Sequence, residues 1–328
     1  MRTCWVFDHP AHVRLLAPFL RSGSATDVIV ATNREEVRQL MESSEGVLPR
    51  RQIIWVDRPV GKGRFQTAWK RMRTVRKELR NAAKSGHRFE RIVSVGAPLE
   101  LRVAKKLGIP KRWYISDTEI NHLAHKLAKN AATDAIFPIH WDESIDGGWL
   151  KKFTQKKVNF HRLDGLHGHV HLRPQLRPVQ VQDPPSFVVR RLQGDGVHDS
   201  DEVLEIPHQI LEGIEITYAD ESKYTGDPWQ FITMLSQHNA VITQSVTVAS
   251  ESVLMGIPTL LVSNAKRGFL ERLESDGYPL FRLTSQSDVE EIQAQFLSGL
   301  FLTEALDMPE WPDAQQQFAD FIGSELID

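Results

Sequence analysis

Residues 240–263, AVITQSVTVASESVLMGIPTLLVS, decide how this chain is read. The segment opens with an apolar run, Ala240-Val241-Ile242, short enough for a strand buried on both faces. A polar hinge, Thr243-Gln244-Ser245, leads into helical spacing through Val248, Ser252 and Met255. Gly256 stands where a helix end favours positive φ, Pro258 forbids continuation, and a second apolar run covers residues 259–262. The pattern predicts a β-α-β unit with parallel strands. The free N–H groups at the helix start then leave the carboxyl edge of the sheet beside Ser245 and Thr247, a setting that suits phosphate. Glu251, one turn beyond Thr247, is placed to accept hydrogen bonds from a ribose. The plain alternative makes Ser245 or Thr247 only a helix cap, and spacing alone does not separate the two.

Composition sets the outer bounds. The 328 residues suit two α/β domains, and an apolar share of 41% is ordinary for a folded globular chain. A single cysteine, Cys4, excludes an internal disulfide and a cysteine-based zinc site, and it fits a reducing compartment. No signal peptide or run of membrane-spanning length is visible, so the expected location is cytoplasmic, with the inner face of the membrane as a peripheral site. The net charge of −2 conceals a division: residues 1–160 carry 30 Lys/Arg against 16 Asp/Glu, and residues 161–328 carry 10 against 26. An anionic partner is therefore expected at the first half.

Within that half, residues 3–7 read as the first strand, followed by the loop Asp8-His9-Pro10-Ala11-His12 and a helix from Val13. In an open parallel sheet this loop faces the ligand crevice, so His12 is a candidate general base and His9 a candidate substrate contact. Helix capping by both histidines is the plain reading. Further strands are predicted at 27–31, 53–56, 91–95, 112–115 and 135–138. Residues 64–84 read as a helix burying Phe65, Ala68 or Trp69, Met72, Val75 and Leu79. Its other face, with Lys70, Arg71, Arg73, Arg76, Lys77 and Arg80, is read as solvated, and anionic lipid is the better of its two sharper readings. No nucleic-acid module is visible. Asp117 and Glu119 stand at a strand end before a helix; Asp117 suits a cap, and Glu119 is the stronger candidate acid or base. His122 and His125 read as decoration of the following helix.

Histidines 167, 169 and 171 alternate, so an extended strand would put all three on one face. Three imidazoles can hold zinc, but no carboxylate with ligand spacing accompanies them, so exposed histidines are preferred and no metal or other cofactor is expected. The proline-rich residues 174–185 read as a linker between a first domain at 1–173 and a second at 186–328. In the second, residues 187–192 form a strand, 202–211 a helix, 214–218 a strand and 228–237 a helix. The closing helices fall at 288–300 and 313–327, the last crossing back to the first domain. Arg190 or Arg191 is a forked donor for phosphate.

Four pieces, DHPAHV at 8–13, SDTE at 116–119, VVRR with VHD at 188–199, and SES-VLMGIP at 250–258, occur in the order of a bacterial and archaeal family of predicted glycosyltransferases, which the chain resembles over nearly its whole length. The 240–263 segment is also similar to the nucleotide-sugar motif of UDP-N-acetylglucosamine 2-epimerases. His12 stands where the lipid-intermediate N-acetylglucosaminyltransferase of peptidoglycan synthesis, similar in fold, has a histidine. The resemblance implies two facing Rossmann-like domains, the GT-B architecture, and a metal-independent glycosyltransferase with a UDP-sugar donor. It implies His12 or Glu119 as base with Asp117 near, Ser245, Thr247 and Glu251 on the nucleotide, and Arg190 and His198 by the diphosphate. One departure is plain: Val246 replaces a glycine of the motif, and a β-branched side chain narrows the approach of a diphosphate. The rival activities are a nucleotide-sugar 2-epimerase or hydrolase using Asp117, Glu119 and His198, and a non-catalytic nucleotide-sugar binder. The acceptor and any homo-oligomeric state are not fixed by the sequence.

Overall fold

The computed structural model describes residues 1–59, 63–84, 88–173, 184–192, 203–221, 223–302 and 309–326. The chain divides into two compact units, Met1–His171 with Pro312–Asp328, and Leu172–Trp311.

The first unit is built on strands β1 (Thr3–Phe7), β2 (Val28–Thr32), β3 (Gln52–Val56), β4 (Arg91–Val95), β5 (Lys111–Ile115), β6 (Asp134–Pro138) and β7 (Asn159–Leu163). They pair in parallel in the order β3-β2-β1-β4-β5-β6-β7. β1, β2, β4 and β6 are buried at every position, which is why they are mostly apolar rather than alternating. Helices α1 (Pro10–Ser22), α2 (Glu35–Glu42), α3 (Arg64–Lys84), α4 (Pro98–Lys106), α5 (His122–Ala128), α6 (Trp149–Thr154) and α7 (His167–His171) alternate with the strands. The chain order runs outward from β1 to β3 and resumes at β4 on β1's other side. A topological switch point therefore lies between the carboxyl ends of β1 and β4, where open α/β sheets bind ligands.

The second unit has strands β8 (Ser186–Arg190), β9 (Glu215–Tyr218), β10 (Ala240–Thr243), β11 (Thr259–Val262) and β12 (Leu280–Leu283), parallel in the order β12-β11-β10-β8-β9. Its switch point falls between β8 and β10. Helices α8 (Phe231–Leu235), α9 (Val246–Leu254), α10 (Gly268–Ser275) and α11 (Val289–Leu302) complete the described part, over a core that includes Phe187, Ile242, Leu260, Val262 and Phe296. α9 ends as its sequence dictates. Gly256 takes φ of 75°, Ile257 N–H donates to the Ser252 carbonyl at 3.0 Å, and Gly256 N–H donates to that of Val253 at 2.9 Å, a Schellman closure. Two Rossmann-like α/β folds are thus present.

The final helix, α12 (Ala314–Ile322), packs on the first unit. Phe318 stacks on Phe19 at 5.0 Å, the Gln317 amide oxygen accepts the Asp164 N–H at 2.6 Å, and the Arg91 guanidinium donates to the Gly323 carbonyl at 2.9 Å.

Four local expectations are corrected. Residues 167–171 form helix α7, not a strand, so the alternating histidines do not share a face. The His169 ring accepts the Leu166 N–H through Nδ1 at 2.9 Å and holds that turn, while His167 and His171 lie on the other side, one turn apart. Among the described residues 203–211, helical structure is confined to a short turn at His208–Leu211, because Pro207 disfavours helical backbone before it. Phe65 and Trp69 of α3 are exposed, at 77% and 60%, whereas Arg71 of the supposedly solvated face is buried. His125 is no decoration: it is fully buried, with Nδ1 3.0 Å from the Tyr114 hydroxyl.

Candidate functional site

The first unit gathers its chemistry at the β1/β4 switch point. β1 delivers Asp8, and His9 caps α1 by accepting the Ala11 N–H through Nδ1 at 3.3 Å, with Pro10 pre-set for the first turn. His12 follows in that turn, 5.8 Å ring to ring from His9, and its Nδ1 accepts the Asp8 N–H at 3.3 Å. Gly96, just past β4, has φ of 62°, and a Cβ there would lie 3.4 Å from His12 Cε1, so the β4 loop is moulded closely over that ring. Asp117, just past β5, meets His167 of α7 with Oδ2 3.2 Å from Nδ1.

The tautomers follow from these partners. With Nδ1 of His9 and of His12 accepting backbone N–H groups, each neutral ring carries its proton on Nε2 and is a donor there. Desolvation is the main cause that pushes His9 down to about 3 and His12 down to about 4, so both are neutral at pH 7. His167 is the reverse case. Its Nδ1 faces the Asp117 carboxylate, and the neutral tautomer that donates Nδ1–H there carries its lone pair on Nε2. Desolvation would raise Asp117, but the His167 ring, its hydrogen bond and His12 outweigh that and hold the carboxyl well below the usual range.

A buried ion network supports this loop from behind. The Arg71 guanidinium of α3 donates through Nε to Glu100 of α4 at 2.5 Å, and through Nη1 to Asp8 at 3.2 Å and to the Thr32 hydroxyl at 3.0 Å. Desolvation would lower Arg71, but Glu100 and Asp8 raise it further, and Arg71 with Thr32 holds Asp8 below its ordinary value. Asp8 is thereby fixed as a charged anchor whose N–H orients His12.

Glu119 follows Asp117 by two residues. It is buried, and its Oε1 accepts the Asp142 N–H at 3.0 Å, so the carboxylate secures the loop after β6.

In the second unit the hinge after β10 caps the helix that follows it. Ser245 is the N-cap of α9, its hydroxyl accepting the Val248 N–H at 3.3 Å, and its own N–H donates to the Thr243 hydroxyl at 3.0 Å. The N–H groups of Val246 and Thr247 have no acceptor among the described residues and open from the carboxyl edge. Val246 occupies the first helical position without backbone strain, since no described residue other than glycine has positive φ. Glu251 is buried on α9. Arg190 is committed to local structure: Nη1 donates to the Ala219 carbonyl at 2.8 Å, and the guanidinium lies 4.8 Å from the Phe231 ring centre. The Gln244 amide joins the ends of β8 and β10, accepting the Leu192 N–H at 3.0 Å and donating to the Leu204 carbonyl at 2.7 Å. His198 lies outside the described residues.

Sequence reasoning flagged His9, His12 and Asp117, which the fold brings together, and missed His167 and Arg71. The HGHVH run was conspicuous, but strand alternation was the wrong period for it.

No protein-family model and no curated protein sequence matches the chain. Solved structures do. The UDP-N-acetylglucosamine 2-epimerase of Methanocaldococcus jannaschii superposes with a TM-score of 0.64 at 10% identity, over 98% of this chain and 99% of that one. The enzyme of the same name from Neisseria meningitidis, bound to UDP-GlcNAc, gives 0.64 at 12% identity over the same shares. MurG of Acinetobacter baumannii gives 0.53 at 11% identity, again over 98% and 99%. The chain has the GT-B-like fold of these proteins.

Proposed function

We propose that this protein is a glycosyltransferase with a UDP-sugar donor. The observation that carries the reading is the Asp117–His167 pair beside the β1/β4 switch point, which leaves a basic ring nitrogen in a cluster whose other two histidines are donors. His167 Nε2 takes the proton of the acceptor hydroxyl as its oxygen bonds to the anomeric carbon. The bond from that carbon to the diphosphate oxygen breaks, and the diphosphate leaves with the negative charge. Asp117 holds the ring in this tautomer and stabilises the imidazolium that forms. His12 and His9 offer Nε2–H to acceptor oxygens.

On the donor side, the N–H groups of Val246 and Thr247 and the Ser245 and Thr247 hydroxyls receive the diphosphate, and Glu251 is assigned to the ribose. Arg190 and His198 remain assigned near the diphosphate. The fold shared with proteins that bind UDP-sugars supports this assignment.

A second reading is a UDP-sugar 2-epimerase or hydrolase, favoured by one fact: the epimerases superpose with TM-scores of 0.60 to 0.64, against 0.54 for a UDP-glucosyltransferase. Thermal stabilisation by UDP, but not by other nucleoside diphosphates, is the first expected result. Incubation with UDP-GlcNAc followed by NMR then separates the readings. Transfer to an added hydroxyl acceptor supports the first, and a new epimer or free sugar supports the second. Failure of any nucleotide to bind would remove both.

A further inference from the structure

We propose that the exposed face of α3 docks on an anionic lipid bilayer. The proposal is independent of the nucleotide-sugar reading. Phe65 and Trp69 are one helical turn apart at the N-terminal end of α3, and they are among the few large apolar side chains that the described structure leaves exposed. The ridge continues through Arg73 and Lys77, and Arg64, Lys70, Arg80 and Lys84 are exposed beside it. The only acidic residue of the helix is Glu78, half-buried and 3.9 Å from Lys77. The opposite face, with Arg71, Val75, Leu79 and Ala82, is buried in the first unit, so the helix is anchored and its outer face is what it presents.

The arrangement matches an interface in its order. At about 1.5 Å of rise per residue the helix is about 30 Å long, with both exposed aromatics in its first two turns and exposed cations from Arg64 through Lys84. The guanidinium groups of Arg64 and Arg73 lie 5.1 and 5.3 Å from the ring centres of Phe65 and Trp69, which lets the rings enter the acyl boundary while the charges stay with headgroup phosphates. No described helix is long and apolar enough to cross a membrane, so α3 lies on the surface. A second copy of this chain is a poor occupant, because two such cation ridges repel.

Co-sedimentation of the full chain with vesicles tests this, using phosphatidylglycerol mixed with phosphatidylcholine against phosphatidylcholine alone. Binding is expected only to the mixed vesicles and should weaken as salt is raised. R73Q/K77Q should lower the partition coefficient about thirtyfold, from the surface attraction of two cations. F65S/W69S should lower it at least about tenfold. Since these four side chains are exposed, circular dichroism and thermal melting should be unchanged in both variants. In W69F, which keeps the apolar tip, quenching by brominated lipid should fall by the share that Trp69 contributes. Equal binding to neutral vesicles, or binding indifferent to F65S/W69S, overturns the proposal. So does tighter binding to single-stranded RNA that displaces the vesicles and depends on the same residues, since it would assign the face to nucleic acid.

Discussion

The Arg71 network offers the sharpest test of the first unit's energetics. Arg71→Met removes a guanidinium whose side chain is 3% exposed and leaves Glu100, 1% exposed, with its carboxylate in an apolar layer. Asp8, at 33%, keeps partial access to water and loses less. Breaking a buried pair from one side costs about 3–5 kcal/mol, because the surviving charge has neither partner nor solvent. Against a total stability of about 5–15 kcal/mol this is large, and at about 2–4 °C per kcal/mol it lowers the melting temperature by roughly 10 °C. Adding Glu100→Leu should return more than half of the loss, since replacing both partners with apolar groups is often neutral. The assay is urea unfolding followed by circular dichroism, run as a double-mutant cycle. A loss below about 1 kcal/mol for Arg71→Met would mean that water screens the pair as on a surface, and the buried-network account would fail.

His167→Ala should lower kcat by about 10²–10⁴-fold while leaving UDP affinity unchanged, measured by initial rates and calorimetry. His12→Ala should raise KM for the acceptor more than it lowers kcat, since it removes a donor and not the base. Ser245→Ala should cost about 1 kcal/mol in stability through loss of the α9 cap, and Ser245→Ala with Thr247→Ala should also weaken UDP; unchanged binding in calorimetry would disprove the donor site. Acidification should destabilise the protein from about pH 6.5 downward. Desolvation holds His12 and His125 down to about 4 in the folded state, so the unfolded chain takes up their protons first and stability falls as pH drops from 6.5 toward 4. Asp8 and Asp117, lowered by their partners, extend the decline below about pH 4. His125→Gln should flatten the upper part of that profile in urea unfolding at stepped pH.

Local chemistry was readable wherever one residue fixes one backbone event. Gly256 and Pro258 ended α9, and the mostly apolar runs at 3–7, 91–95 and 259–262 became buried parallel strands, whereas α1 began at Pro10 and not at the expected Val13, because a proline at the first helical position needs no N–H partner. The same logic flagged His9, His12 and Asp117, because a residue just past a parallel strand sits at the carboxyl edge whatever its neighbours are. Helical periodicity identified α3 but misjudged its faces. It ranks side chains by polarity, so it buried Phe65, with Ala68 or Trp69, and exposed Arg71. Only the folded sheet supplies Glu100, Asp8 and Thr32 as partners that make burial of a guanidinium tolerable. His167 meets Asp117 across a sequence separation of 50, and no local pattern encodes that distance. The basic ring nitrogen is likewise a tertiary product: a histidine's tautomer depends on what its other nitrogen touches, and only the packing of α7 against the β5 loop decides that.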